Sequence, residues 1–422
     1  MADKGDVLKK HGKYIIAILI FFALVIRLIL AETMKGYGET DLQCYQRWAE
    51  NAAADFANVY RNTDIDYPPV YLYVLFFVGK ALLLFNNLPM MQILLLKLPA
   101  IIADILTALF IYRIACKRFN SAFAMIISTM YLFNPAVFVN SAMWGQTDSI
   151  LTLIAVLALY YLLQDKIIPS TVFFTMACLM KPQGFIFLPI LLLELIRKKD
   201  LKKFLLCVVT GLATGFIIIL PFTVGQDIFW IVRLFLSDLS KYPYADMHAF
   251  NIFFLMGGDL VTDSTMFLFM PYKAWSLIFT VGVFGLVGFM YLKSKRPLRI
   301  FFMTLVLQSC IFMFTGRMHE RYLYPVILLL IMVFIQCKDR RLISIYIWMS
   351  ALIFVNQLMV LYCSNYLDDA QSWLPYFNMT GYVFSVLGLF LVIRLIIVAR
   401  DILHKADCAT GDGSLSQKEV KT

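Results

Sequence analysis

The chain has 422 residues, of which 61% are hydrophobic and only 15% are charged. Average soluble domains carry about 25% charged residues, so the composition excludes an ordinary soluble globule and indicates a polytopic membrane protein. The formal net charge of +10 is compatible with nucleic-acid binding, but the lysines and arginines gather on alternate links between apolar stretches, as the positive-inside bias requires. The sequence therefore indicates the lipid bilayer as a partner and no nucleic acid.

Twelve apolar stretches are predicted to be membrane helices, because a helix needs roughly 20 apolar residues to cross the hydrocarbon core. The shortest of them flank Lys166 and Lys181 and require shelter inside a bundle. We predict an all-α bundle over residues 1–405, with both termini cytoplasmic and a disordered cytoplasmic tail over residues 406–422. The stretches lie near residues 14–31, 89–113, 121–139, 149–163, 167–180, 184–196, 203–222, 271–292, 300–315, 322–336, 342–362 and 380–398.

Two external loops, about residues 32–88 and 223–270, are long enough to hold structure. Apolar residues recur every three or four positions in the first loop and predict an amphipathic helix. Thr40 and Gln43 have the spacing of a capping box, which places Asp41 at the first helical position. In the second loop, residues 228–232 predict a helix lying in the membrane interface. We expect both loops to cover a cavity. The periodic residues of the first loop are Leu42, Tyr45, Trp48, Ala52 and Phe56.

Asp41 is the candidate general base. The dipole at a helix N-terminus stabilises negative charge, so this carboxylate is suited to accept a hydrogen bond from a hydroxyl group. A first-turn acid also stabilises its own helix without any catalytic role. Spacing alone leaves both interpretations open.

Lys181 is a cation between two short apolar stretches, near the outer interface. Ionisable residues at such depth are costly and suggest a functional site. Together with His319 and Arg321 it is expected to surround a phosphate, and Arg317 joins them if it turns inward. The alternative is a lysine that extends to the interface beside ordinary loop charges.

Aromatic and amide side chains near the same predicted face suggest a sugar pocket. Tyr67 lies in a stretch, Asp66-Tyr67-Pro68-Pro69, that two prolines make rigid and extended. Trp144 and Gln146 offer the aromatic face and the amide that a hexose requires, and Asp148 begins the next span. The alternatives are a turn at the entrance to a span, an interfacial tryptophan and a helix cap.

Together these residues resemble the GT-C class of membrane glycosyltransferases, most closely the glucosyltransferases that extend the N-glycan precursor and the mannosyltransferases of GPI synthesis. The resemblance implies that Asp41 is the catalytic carboxylate of the first loop. It also implies that Gln183, Glu320 and Asn251 belong to the sugar or acceptor pocket. A single acid stands where some members have an Asp-x-Asp pair, so a divalent metal is not favoured. The similar elements are Tyr67-Pro68-Pro69, His319-Glu320-Arg321, Trp144-Gly145-Gln146, Lys181-Pro182-Gln183 and Ala249-Phe250-Asn251.

The resemblance implies a GT-C fold and an inverting glycosyltransferase. We expect it to move glucose or mannose from a polyprenyl monophosphate to an acceptor hydroxyl outside the cytoplasm. The acceptor is expected to be a lipid-linked or cell-envelope glycan, and the compartment a bacterial plasma membrane, with the endoplasmic reticulum as the alternative. The competing functions are a secondary transporter or lipid flippase, a non-catalytic membrane subunit, and a GT-C polymerase or ligase that uses a lipid-pyrophosphate glycan.

Overall fold

The computed structural model describes residues 3–33, 41–85, 88–366 and 370–408. Within these ranges the chain forms eighteen α-helices and one two-stranded hairpin, which confirms the all-α prediction. The helices are α1 (Asp3–Thr33), α2 (Asp41–Ala54), α3 (Val59–Asn62), α4 (Pro69–Leu82), α5 (Pro89–Ala115), α6 (Ser121–Leu132), α7 (Pro135–Phe138), α8 (Asp148–Leu163), α9 (Ile167–Cys178), α10 (Leu188–Lys198), α11 (Leu201–Ile219), α12 (Trp230–Lys241), α13 (Ile252–Leu255), α14 (Tyr272–Lys293), α15 (Arg299–Phe314), α16 (Pro325–Cys337), α17 (Arg341–Tyr366) and α18 (Ala370–Cys408).

Six of the described helices are long and apolar enough to cross a membrane alone, namely α1, α5, α11, α14, α17 and α18. A seventh candidate is broken. The stretch predicted as one helix over residues 121–139 bends by 45° between α6 and the following pair formed by α7 and a π-helical segment, Val139–Trp144. Pro135 explains the break, because proline cannot donate the backbone hydrogen bond of a helix interior.

Every other predicted stretch also contains a helix, but α8, α9, α10, α15 and α16 have only 11 to 16 residues. The number of membrane crossings therefore stays a prediction. Helices α15 and α16 are buried along almost their whole length, so they form the centre of the bundle. A helix that is apolar on all sides is typical of that position.

The first of the two predicted loops holds α2, α3 and α4, and the prediction of an amphipathic helix beginning at Asp41 is confirmed. Thr40, its proposed cap, lies outside the described residues. Helices α2 and α4 pack closely because Gly79 has no side chain: a Cβ atom there would lie 2.0 Å from the carbonyl oxygen of Ala49. The Nε1 of Trp48 donates to the carbonyl of Asp64 at 3.0 Å. These contacts fix α2 against α4 and against the segment that precedes it.

The second predicted loop contains α12, α13 and the hairpin of β1 (Met266–Phe267) and β2 (Met270–Pro271). Its middle part is joined to the link between α15 and α16. The backbone nitrogen of Arg317 donates to the carbonyl of Ala245, and that of Met247 donates to the carbonyl of Met318. The loop therefore braces the segment that carries His319.

Helix α18 continues to Cys408, past the first residues of the predicted tail. Residues 406–408 are thus helical, and the remainder of the predicted disordered tail lies outside the described residues.

Candidate active site

Four separate segments bring charged side chains together above the centre of the bundle. Asp41 is the first residue of α2, and Asp148 is the first residue of α8. Lys181 follows the end of α9, and residues 319–321 lie in the link between α15 and α16. We call these residues, together with Gln146, the polar cluster.

A left-handed turn directs Gln146 toward α2. The π-helical segment ends at Gly145, whose φ is 83°. Such a φ favours glycine, and a Cβ atom here would lie 3.0 Å from side-chain carbons of both Leu42 and Lys97. The Nζ of Lys97 donates to the carbonyl of Met143 at 2.7 Å and so supports the turn. π-Helical segments are frequent at functional sites.

The Nε2 of Gln146 donates to Oδ2 of Asp41 at 2.7 Å. Gln146 is fully buried, so bulk water does not compete with Asp41 for a hydrogen bond from its amide. It fixes the direction of the Asp41 carboxylate and leaves the other carboxylate oxygen available to a ligand.

Lys181 and Asp148 form a buried ion pair, with Nζ 2.8 Å from Oδ1. The other carboxylate oxygen of Asp148 accepts a hydrogen bond from Nδ2 of Asn140 at 3.0 Å. The Nζ of Lys181 also lies 5.4 Å from the centre of the Tyr67 ring, within the range of a cation–π interaction. The lysine is therefore held in place although its carbon chain is long.

Arg321 occupies the other side of the polar cluster. Its Nη1 donates to Oε1 of Glu320 at 2.6 Å, and its Nε lies 4.0 Å from Oδ2 of Asp148. Its guanidinium carbon is 5.5 Å from the centre of the Trp144 ring. The Nδ1 of His319 is 3.8 Å from Oε2 of Glu320, which is too long for a hydrogen bond.

Burial and neighbouring charges set the protonation states at the polar cluster. Burial lowers the pKa of Lys181, and the Asp148 carboxylate opposes this change. Burial, aided by Arg321, likewise lowers the pKa of His319. Burial alone would raise the pKa of Glu320, but Arg321 and His319 bring it to about 2. The pKa of Arg321 is held well above its usual range because Glu320 and Asp41 outweigh burial.

Several buried polar atoms around the polar cluster have no hydrogen-bond partner. Buried polar groups are nearly always paired, so such a concentration indicates space for a polar ligand. One of them, Nε of Arg321, is a charged donor and is suited to a phosphate oxygen. The others are Oε1 of Gln146, Oδ1 of Asn140, Oγ1 of Thr147 and Oε1 of Gln183.

Arg317 points away from the polar cluster, and Asn251 caps a short helix. Arg317 turns away, with Nη2 2.5 Å from Oδ2 of Asp263, and lines a separate cavity of about 260 Å³. Its φ of 60° is left-handed, which reverses the side-chain direction within the link. Asn251 is the cap of α13, because its Oδ1 accepts from the backbone nitrogens of Phe253 and Phe254.

Sequence reasoning missed three members of the site's surroundings. Asn140 lies in an apolar stretch, and a polar residue at that depth was the available signal. Tyr45 forms a hydrogen bond of 2.9 Å with the hydroxyl of Tyr67. Tyr242 packs its ring against His319 at 5.8 Å between centres. The last two contacts join distant segments and leave no local pattern. Among the described residues, no three His, Cys, Asp or Glu side chains are grouped as metal ligands.

The chain is similar in sequence to known mannosyltransferases. A family described as "Alpha-(1->6)-mannopyranosyltransferase, N-terminal domain" matches residues 29–197, which include Asp41, Tyr67, Gln146 and Lys181. GPI mannosyltransferase 1 of Candida albicans is 27% identical over 145 residues, which cover 30% of this chain. The match spans 36% of that relative's length.

The fold is similar to that of ArnT from Cupriavidus metallidurans, solved bound to undecaprenyl phosphate. The TM-score is 0.52 with 14% sequence identity, and the similarity covers 93% of this chain and 79% of that one. At this identity the comparison speaks for the fold alone. The chain therefore has the fold of the GT-C membrane glycosyltransferases, as the motifs predicted.

Proposed function

We propose that this protein is an inverting GT-C glycosyltransferase that moves mannose from a polyprenyl monophosphate to an acceptor hydroxyl. Mannose is preferred over glucose because the matching family and the Candida relative are both mannosyltransferases. A polyprenyl phosphate is the lipid bound to the structural neighbour. The proposed acceptor is a lipid-linked or cell-envelope glycan outside the cytoplasm.

The observation that carries the proposal is that the polar cluster combines two cations, Lys181 and Arg321, with the carboxylate of Asp41. Lys181 supplies a buried cation and Arg321 a partly buried one, and the Nε of Arg321 makes no hydrogen bond. Asp41 is oriented by a separate amide and acts electrostatically on both cations. A glycosyl transfer requires this pair of functions, because a phosphate leaves from one face of the anomeric carbon and a hydroxyl attacks the other.

In the proposed reaction, the acceptor oxygen forms a bond to the anomeric carbon while the bond from that carbon to the phosphate oxygen breaks. Asp41 accepts the hydroxyl proton, and polyprenyl phosphate leaves with both electrons of the broken bond. Lys181 and Arg321 stabilise its negative charge. Since the transition state of glycosyl transfer is oxocarbenium-like, proton transfer comes late and a weak base suffices.

An apolar groove beside the polar cluster supports a lipid donor. It measures about 470 Å³ and lies between α4, α5 and α8. Its lining includes Ile150, two residues beyond Asp148, and it follows α5 from Leu95 to Leu106. Eleven helical steps of 1.5 Å correspond to about 16 Å, enough for several isoprene units. Helix α4 also lines the groove and begins two residues after Tyr67.

The testing experiment offers purified protein four radiolabelled donors: mannose and glucose on polyprenyl monophosphate, a glycan on polyprenyl pyrophosphate, and mannose on a nucleotide. We expect label to leave the monophosphate mannose. Consumption of the pyrophosphate-linked glycan instead would indicate a polymerase or ligase. A protein that moves intact donor across proteoliposomes without cleaving it would be a flippase, and the proposal would be wrong.

A further inference from the structure

Helix α5 carries two charged residues that the polar cluster does not contain. Lys97 and Asp104 are seven residues apart, nearly two helical turns, so they lie on one side of the helix. Both are fully buried. Ionisable residues inside a membrane-spanning helix are costly and are usually retained for function.

Asp104 accepts hydrogen bonds from three polar side chains, one of which is bonded to a fourth. Its Oδ2 accepts from Nε of Arg27 at 3.0 Å and from Oγ of Ser141 at 2.5 Å. Its Oδ1 accepts from the hydroxyl of Tyr324 at 3.3 Å. The hydroxyls of Tyr324 and Tyr131 are 3.0 Å apart. Asp104 thus connects α1, α5, α6 and two links of irregular backbone.

Two of these partners lead directly to the polar cluster. Ser141 lies in the π-helical segment, five residues before Gln146. Tyr324 lies three residues after Arg321, in the link before α16. One carboxylate is therefore bonded to both of the segments that supply the oriented amide and the arginine.

Lys97, about two helical turns from Asp104 along α5, provides a second connection to α1 and to the π-helical segment. Its Nζ donates to the carbonyl of Ala31 at 3.2 Å and to that of Met143 at 2.7 Å. Helix α1, helix α5 and the π-helical segment are consequently tied together twice. A π-helical segment lacks the regular hydrogen bonding of an α-helix, so external ties of this kind determine its position.

We propose that Asp104, held by Arg27, is a positioning residue that sets the distance between Gln146 and Arg321. Its effect on the rate rests on the proposed function, in which these two residues serve the base and the leaving phosphate. A buried ion pair contributes little net stability, because desolvation offsets its attraction. Precise placement matters more, since a displacement of about 1 Å can reduce a rate roughly 100-fold.

The test uses variants that break a tie without leaving a buried charge. Ser141→Ala and Tyr324→Phe each remove one hydrogen bond to Asp104. Ser128→Ala is the matched control for the serine, because Oγ of Ser128 is also buried and donates to α5 at 2.7 Å, through the carbonyl of Ala108. Tyr346→Phe is the control for the tyrosine, since its hydroxyl donates to the carbonyl of Met130.

Two measurements are made on each full-length variant in detergent: amide hydrogen exchange, and steady-state transfer from polyprenyl-phosphate mannose. We expect Ser141→Ala to speed exchange over residues 139–148, and Tyr324→Phe over residues 317–324. We also expect each to lower kcat about tenfold with little change in the donor KM, because positioning acts on the transition state. The two controls should change neither quantity, at a similar loss of thermal stability.

The exchange measurement stands independently of the reaction. If Ser141→Ala and Tyr324→Phe match their controls in exchange and kcat, the positioning role is overturned. If wild type shows no transfer while the exchange differences hold, the proposed function fails and the structural tie remains. A double variant, Arg27→Gln with Asp104→Asn, keeps the side-chain shapes without charge and should show faster exchange in both segments.

Discussion

Gln146 and Asp41 are joined by a 2.7 Å hydrogen bond although 104 residues separate them in sequence. The bond connects the turn after the π-helical segment to the first residue of α2. Because Gln146 is fully buried while Asp41 is only partly so, the amide acts as the fixed element and the carboxylate as the oriented one.

Replacement of Gln146 by leucine should leave the Asp41 side chain in the site but free to rotate. Since orientation contributes to the transition state and not to donor binding, we expect kcat to fall about tenfold and the donor KM to stay unchanged. The control is Gln46→Leu in α2, because the amide of Gln46 is partly buried and donates to Glu50, not to Asp41. Equal kinetics in the two variants would remove Gln146 from the reaction.

Arg321 and Arg317 make a matched pair, four residues apart in one link. Arg321→Gln should weaken donor binding by about 10- to 100-fold, the value of a hydrogen bond to a charged group. Arg317→Gln should change it less than about twofold, because Arg317 binds Asp263 outside the polar cluster. Titration with polyprenyl phosphate measures both. Similar losses would mean that Arg317 also reaches the phosphate.

Glu320 predicts a pH dependence of stability. Its pKa in the folded protein is about 2, below the ordinary value of 4.5. The stabilisation is therefore complete above pH 4.5 and is lost as the pH falls through about 2. A shift of this size corresponds to about 3 kcal/mol.

The measurement compares the Tm of wild type with that of Glu320→Gln across this range. The difference should be largest at neutral pH and shrink below pH 4.5, because protonation removes the carboxylate charge from wild type as well. A difference that is constant with pH would show that Arg321 does not depend on the charge of Glu320.

The apolar groove predicts a dependence on donor chain length. Ile102 lines it on α5 and is 48% exposed, so Ile102→Trp should obstruct it. We expect a higher KM for a long polyprenyl donor and no change for a donor of one or two isoprene units. Ile126→Trp, on α6 and 55% exposed, adds the same bulk elsewhere. An equal effect of both variants would separate the groove from the donor.

The sequence predicted the parts of this protein that depend on local pattern. The lengths of the apolar stretches predicted the membrane helices. The three- to four-residue period of apolar residues predicted α2, and the capping-box spacing placed Asp41 at its start. The directions of side chains in the links between helices could not be predicted from the sequence, because they depend on single backbone dihedral angles. Arg317 was expected beside Arg321, but its left-handed φ turns it toward Asp263.

The partners that buried charged residues find on distant segments could not be predicted from the sequence either. Lys97 and Asp104 are seven residues apart in α5, a spacing that places them on one helix face. They do not pair with each other: Asp104 pairs with Arg27 of α1, and Lys97 donates to backbone carbonyls. Which helix approaches that face is a property of the assembled bundle, so no periodicity within α5 reveals it.

The central claim is that Asp41 is the base, and one measurement tests it most directly. Donor binding and sugar transfer are measured side by side for wild type, Asp41→Asn and Asp55→Asn, with polyprenyl-phosphate mannose and a saturating acceptor. Asp55 is an exposed acid just beyond α2 and serves as the control. The account predicts that Asp41→Asn loses roughly 10² to 10⁴ in rate, the contribution of a positioned base, while binding donor as wild type does. Transfer by Asp41→Asn at the rate of Asp55→Asn would contradict it.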